Sequence, residues 1–193
     1  MTENSTAHNS LASTSRWAAA VRAAESQRPD ALFVDPWAAA LAGQEGAYWI
    51  QSRGGNVAPM TIRTCYFDDY LERVIRDETA ETKIRQIVLV AAGLDTRAFR
   101  LHWPTGTCIY ELDQPAVLLY KQHVLDDANA KPTCQRKAVA ADLASEWQRP
   151  LLAAGFDPRR PSLWLAEGFT FYLPDEAIAR VLQGISALAA PGS

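Results

Sequence analysis

Apolar positions along the chain change their spacing near residue 85. Before it they recur at helical intervals. From Arg16 to Ser26 the alanines, Trp17 and Val21 keep that rhythm, and Arg28-Pro29-Asp30 ends it because proline cannot continue a helix. Asp35-Pro36 opens a second helix carrying Trp37, Ala40 and Leu41, since aspartate can cap a helix and proline suits its first position. Gly43 and Gly46 are expected to close it. Gly54-Gly55 and Pro59 mark a loop, after which Phe67, Tyr70, Leu71, Val74 and Ile75 predict a third helix within Arg63 to Asp77.

Beyond residue 85 the apolar positions become short continuous runs. Ile87 to Ala92, bounded by polar residues and Gly93, reads as a strand buried on both faces. Cys108 to Leu112, Ala138 to Ala141 and Leu163 to Ala166 follow as further strands, with helices over Pro115 to Leu125 and Asp175 to Leu188. Strands alternating with helices predict an α/β fold with a parallel sheet and crossover helices. Ala190-Pro191-Gly192-Ser193 is a turn signature directly after the last helix, which would leave the fourth strand with an unpaired edge. The first fifteen residues are small and polar, with no period that buries a face, and are expected to be disordered. The organisation is then 1–15 as a disordered start, 16–80 as a helical cap and 81–193 as the sheet domain.

Composition narrows the class of ligand. A chain of 193 residues with 48% hydrophobic and 21% charged residues suits one globular domain. Its net charge of -3 and the absence of any lysine or arginine block give no reason to expect a nucleic-acid or membrane partner, which leaves small molecules or proteins. Cys65, Cys108 and Cys134 are odd in number and lack metal-ligand spacing, so reduced thiols and a cytoplasmic location are expected, with no metal. No apolar run approaches the roughly 20 residues needed to span a bilayer. His8, His102 and His123 are scattered without triad partners, and the six tryptophans read as core and interface anchors.

The chemistry concentrates at the strand ends. After the first strand, Val90-Ala91-Ala92-Gly93-Leu94-Asp95 is the turn where a doubly wound fold brings backbone to a nucleotide-like ligand, and glycine permits the approach. The full G-x-G-x-x-G pattern is absent, which disfavours a nicotinamide-dependent oxidoreductase. Asp113 ends the second strand twenty residues after Gly93, where a carboxylate can accept from ribose hydroxyls. Glu111 shares its face; either could be the ribose ligand and the other a structural partner, with Asp113 favoured by its place at the carboxyl end. Asp142, after the third strand, could accept from an adenine amino group or simply cap a helix. Glu167 interrupts the apolar end of the fourth strand and needs a cationic partner, either a ligand ammonium or an internal ion pair.

Taken together, Ile87 to Arg100 (IVLVAAGLDTRAFR), Tyr110 to Pro115 (YELDQP), Asp142-Leu143 and Trp164 to Pro174 (WLAEGFTFYLP) resemble the leucine carboxyl methyltransferase family. The likeness is to its bacterial branch of S-adenosylmethionine-dependent O-methyltransferases, and extends upstream to Ala24-Glu25-Ser26, Asp35-Pro36, Arg63-Thr64 and Phe67-Asp68-Asp69. The resemblance implies a Rossmann-like class I methyltransferase fold, stopping here after the fourth strand and its helix, with the remaining strands and much of the acceptor pocket belonging to the part not matched. It implies S-adenosylmethionine (SAM) as cofactor: Arg63 on its carboxylate, Gly93 beside its methionine part, Asp113 on the ribose, Asp142 and Leu143 flanking the adenine, and Glu167 near the amino-acid end. Ala91 departs from the phosphatase-methylating members, which have glycine there. The implied reaction is methyl transfer to an oxygen, carboxylate or hydroxyl, of a small-molecule or protein acceptor. The alternative is a truncated, non-catalytic fragment or partner-binding domain that retains part of a SAM site.

Overall fold

The apolar run at residues 87–92 forms the central strand β1 (Gln86–Val90), buried along its whole length. Strands β2 (Cys108–Asp113), β3 (Gln135–Ala140) and β4 (Ser162–Ala166) complete a sheet of order β3-β2-β1-β4 in which every pairing is parallel. Successive side chains alternate between its two faces. Ile87, Leu89, Ile109, Leu163 and Leu165 pack on one side; Val88, Val90, Tyr110, Leu112 and Val139 pack on the other. This is the Rossmann-like α/β architecture expected from the sequence. The computed structural model describes residues 3–53, 57–77, 83–170 and 173–193.

Helices cover both faces. On the first lie α1 (Glu3–Ser26), α2 (Ala38–Arg53) and α3 (Ala58–Arg76), which contribute Ala19, Leu41, Leu71 and Ile75 to the core. The short α4 (Arg97–Arg100) follows β1, and α5 (Pro115–Asp127) joins β2 to β3. The second face is covered by α6 (Gln148–Ala153) and α7 (Asp175–Leu188), through Leu151 and Val181, around the buried Trp147. The α7 contact is close: a Cβ on Gly184 would lie 2.5 Å from Trp147 Cζ2.

Several boundaries differ from the sequence expectation, each for a physical reason. The polar start expected to be disordered is helical from Glu3, because a helix whose later turns pack in a core propagates backwards at little cost once nucleated. Gly43 does not close α2. It takes φ 58° and ψ −167°, kinking the helix, which then resumes to Arg53. The kink is supported from outside, since Tyr120 Oη donates to the Leu41 carbonyl at 2.9 Å. Gly46 is likewise inside α2, where a Cβ would lie 2.6 Å from the Arg16 carbonyl oxygen, so glycine sets the approach of α1 rather than a helix end. Gly54 and Gly55 lie outside the described residues, and Pro59 falls in the first turn of α3. Strand β1 stops at Val90 because Ala91 has φ 53°, which breaks the extended backbone.

Strand β4 pairs with β1 and, among the described residues, with no other strand. Because β2 and β3 lie on one side of β1 and β4 on the other, the chain reverses its direction of winding at β1. In open parallel sheets that reversal point, at the carboxyl ends of the strands, is where ligands bind.

Candidate functional site

A cavity of about 330 Å³ opens at those carboxyl ends. Arg63, Gly93, Asp113, Asp142, Leu143 and Glu167, singled out from the sequence on five separate segments, all line it. Helix α1 supplies a further wall through Thr14, Ser15, Trp17 and Ala18. Trp17, which its spacing assigns to the core, therefore borders the site instead.

The turn after β1 is shaped by two left-handed residues, Ala91 at φ 53° and Gly93 at φ 50°. Between them Ala92 N–H donates to the Leu112 carbonyl at 3.0 Å, which fastens the turn to β2. Gly93 N–H then donates to Asp113 Oδ2 at 2.6 Å, and Gln114 N–H donates to Asp113 Oδ1 at 2.7 Å. Burial pushes the Asp113 carboxyl up, and the two amides act against that rise by hydrogen bonding to the charged form. Each carboxylate oxygen keeps lone-pair capacity for a further donor.

Glu111 is the structural partner of the pair on β2. It is sealed from solvent, with Oε2 at 2.8 Å from both Lys121 Nζ and Arg136 Nη2, and it does not reach the cavity. Burial pushes the Lys121 ammonium down and the Glu111 carboxylate opposes it. Asp142 is exposed at the cavity rim, where its Oδ1 accepts from Ala144 N–H at 2.9 Å, a local turn that leaves Oδ2 without a partner among the described residues.

Glu167 lies between two arginines. Arg63 Nε donates to its Oε1 at 2.7 Å and Arg97 Nη1 to its Oε2 at 3.0 Å, so the internal ion pair allowed by the sequence is formed. Gly168, at φ +73°, leaves room beside them: a Cβ there would stand 3.5 Å from Arg63 Nη2. Among the described residues Arg63 Nη1 has no hydrogen-bond partner, and the side chain is 36% exposed.

Sequence reasoning assigns no role to Arg97, yet it is the most connected group at the site. Only 3% of its side chain is exposed; it pairs with Asp68, Asp95 and Glu167 from three segments. Burial opposes its charge, but Asp95, Glu167 and Asp68 outweigh that and raise its pKa. Burial alone would raise Asp95; Arg97, Lys121, Arg100 and Arg22 hold it instead at about 2. Arg22 is tied to Asp35 at 2.8 Å and to the Leu94 carbonyl at 2.6 Å, and Arg100 is bidentate to Asp68 at 2.6 and 2.8 Å. Arginine and aspartate pairs of this kind leave no mark in hydrophobic periodicity. The acidic positions Asp68, on the apolar face of α3 beside Leu71, and Asp95, directly after the buried Leu94, are the available signal.

Residues 15–186 match the family model for leucine carboxyl methyltransferase. The chain belongs to the leucine carboxyl methyltransferase family. A relative from Mycobacterium sp. strain KMS is 43% identical over 201 residues, which cover 95% of this chain and 65% of the relative. Another from Mycobacterium tuberculosis strain H37Rv is 42% identical over 199 residues, covering 95% of this chain and 60% of the relative. Both are named, provisionally, S-adenosyl-L-methionine-dependent methyltransferases. This member of the leucine carboxyl methyltransferase family thus spans about 60 to 65% of the length of these relatives. No helix among its described residues is long and apolar enough to cross a membrane.

Proposed function

We propose that the cavity binds S-adenosylmethionine and that the protein serves methyl transfer to an oxygen of a carboxylate or hydroxyl acceptor. The observation that carries the reading is the convergence of Arg63, Gly93, Asp113, Asp142, Leu143 and Glu167 on one cavity at the winding reversal of a parallel sheet. The residues fit such a cofactor chemically. Asp113, fixed by two backbone amides, offers acceptors suited to the ribose hydroxyls. Arg63 Nη1 offers a donor suited to the carboxylate, and Asp142 with Leu143 suits a polar-edged, apolar-faced adenine. Glu167 contributes at the amino-acid end through its hold on Arg63.

The sulfonium supplies both the methyl group and its own leaving group, so the reaction is an in-line displacement that asks the protein chiefly for positioning. That is what this site provides. Strand ends and buried ion pairs fix the binding groups before any ligand arrives, and α1 lines the cavity through Thr14, Ser15 and Trp17. A cytoplasmic setting agrees with three free cysteines.

The test is calorimetric titration with S-adenosylmethionine. Wild-type protein should bind, and Asp113→Ala should bind at least about tenfold more weakly, as expected when a charged hydrogen-bond acceptor is removed. Unchanged affinity in that variant would overturn the assignment. Transfer of a labelled methyl group by this chain, set beside a form extended to the relatives' full length, tests the transfer step itself.

A further inference from the structure

We infer that Arg97 is a positioning residue for the cofactor's amino-acid end, acting through Glu167 on Arg63, and that Glu167 is a strut between two arginines rather than a direct ligand of the ammonium. This rests on the proposal that the cavity takes S-adenosylmethionine. The chain of contacts is continuous. Asp68 Oδ1 accepts from Arg97 Nε at 2.7 Å, Arg97 Nη1 donates to Glu167 Oε2 at 3.0 Å, and Arg63 Nε donates to Glu167 Oε1 at 2.7 Å.

Exposure runs along it in order: 3% for the Arg97 side chain, 16% for Glu167 and 36% for Arg63. The buried end is therefore rigid and the accessible end faces the ligand. Each carboxylate oxygen of Glu167 accepts from a guanidinium group, which offsets the charge an ammonium would seek and fixes the plane of the carboxylate. Because Nε of Arg63 is bound to Glu167, the guanidinium can turn only with that carboxylate, and its Nη1 edge is left for a ligand. Gly168 keeps the space beside that edge clear.

A lysine could not replace Arg97, since one ammonium cannot present the spread of donors that reaches Asp68, Asp95 and Glu167 together. Arg97 also carries its own anchorage: Asp68 is held a second time by Arg100, so the buried end stays fixed when Glu167 is altered.

The experiment compares two probes, S-adenosylmethionine and 5′-methylthioadenosine, which keeps the nucleoside and lacks the amino-acid part. Arg97→Met and Arg97→Lys should each weaken S-adenosylmethionine by about tenfold, the loss expected when an oriented charged contact is released, and leave 5′-methylthioadenosine unchanged. Glu167→Gln, which removes the charge at nearly constant shape, serves if the Arg97 variants do not fold and should show the same split. In an Arg63→Met background neither change should weaken S-adenosylmethionine further, because both act through Arg63. A further loss with Glu167→Gln in that background would overturn the strut assignment, and equal weakening of both probes would overturn the positioning role. Failure of the underlying cofactor proposal looks different: wild-type protein would bind neither probe, or Arg63→Met would leave the two affinities in their original ratio.

Discussion

The middle and the tip of β2 treat the same chemical group in opposite ways. Glu111 and Asp113 are carboxylates on one strand and one face, a single residue apart. Glu111 is enclosed with Lys121 and Arg136 and has no solvent exposure. Asp113 meets two backbone amides and a cavity, with no cation in contact among the described residues. A carboxylate answered by buried cations is closed to ligands, whereas one answered only by amides keeps its charge available. The difference separates structure from function on a single strand, and it is created by which element lies alongside: α5 supplies Lys121 to the first, and the turn after β1 supplies Gly93 to the second.

The sharpest way to break this contrast is at Glu111. Glu111→Gln leaves Lys121 and Arg136 buried without their shared counter-charge and should cost about 3–5 kcal/mol of stability, read by urea denaturation. Affinity for S-adenosylmethionine in the protein that stays folded should hardly move. Asp113→Asn should do the reverse. A loss of binding worth about 1.5–3 kcal/mol is expected, with a smaller change in the urea midpoint, because the lost partners are hydrogen-bond donors rather than buried charges. If the Asp113→Asn variant keeps wild-type affinity, the tip of β2 is not the ligand site.

Acid should separate Asp113 from Asp95, which also lines the cavity. Asp113 titrates above the ordinary carboxylate range, so affinity for S-adenosylmethionine should fall on acidification before free carboxylates protonate. A raised folded value also means that ionised Asp113 strains the fold: its contribution to stability is full below the unfolded pKa and is lost as pH rises through the folded one. Asp95, held at about 2, works with the opposite sign. Its stabilisation is present above the unfolded value of about 4 and disappears as pH falls from there through about 2. Binding titrations and denaturation curves over the same acid range should therefore diverge, and the Asp113→Asn variant should lose the Asp113 step from both while keeping the Asp95 step in stability.

The smallest effect is expected at Ala91. Ala91→Gly relieves a left-handed φ of 53° in the turn that presents Gly93 to Asp113. Relief of about 1–2 kcal/mol, less the greater freedom of glycine in the unfolded chain, should leave a net gain of about 0.5–1 kcal/mol. A rise of a few degrees in melting temperature would register it, and a fall would show that the methyl group contributes packing to the turn.

Much of this is legible in the amino-acid order. The four strands, the parallel sheet and the last helix follow from apolar runs and their spacing, because burial on both faces of a parallel strand admits few polar residues. Gly93, Asp113, Asp142 and Glu167 stand out by their position at strand ends, whereas Arg63, on α3, enters only through the family resemblance. Strand β3 reads short because its first residues, Gln135, Arg136 and Lys137, are polar on a sheet edge where burial is incomplete. The Gly43 kink is hidden because a glycine that ends a helix and one that bends it look alike until Tyr120 is seen capping the Leu41 carbonyl. Arg97 is hidden for the same kind of reason: its partners Asp68, Asp95 and Glu167 lie far apart in the chain or turn toward it only after folding.

The strand order β3-β2-β1-β4 bears on how the molecule assembles. Strand β1 finds β2 after a short loop of chain but must wait for β4 across a much longer one, and closing long loops is the slow part of building parallel sheets. The Arg97 end of the ion-pair chain, on α3, the β1 turn and α4, can therefore form while Glu167 is still unplaced. Docking of β4 completes the cavity, so a ligand that grips Arg63, itself tied to Glu167 just after β4, acts chiefly by slowing the departure of that strand, and its effect should appear in the unfolding rate more than in the folding rate.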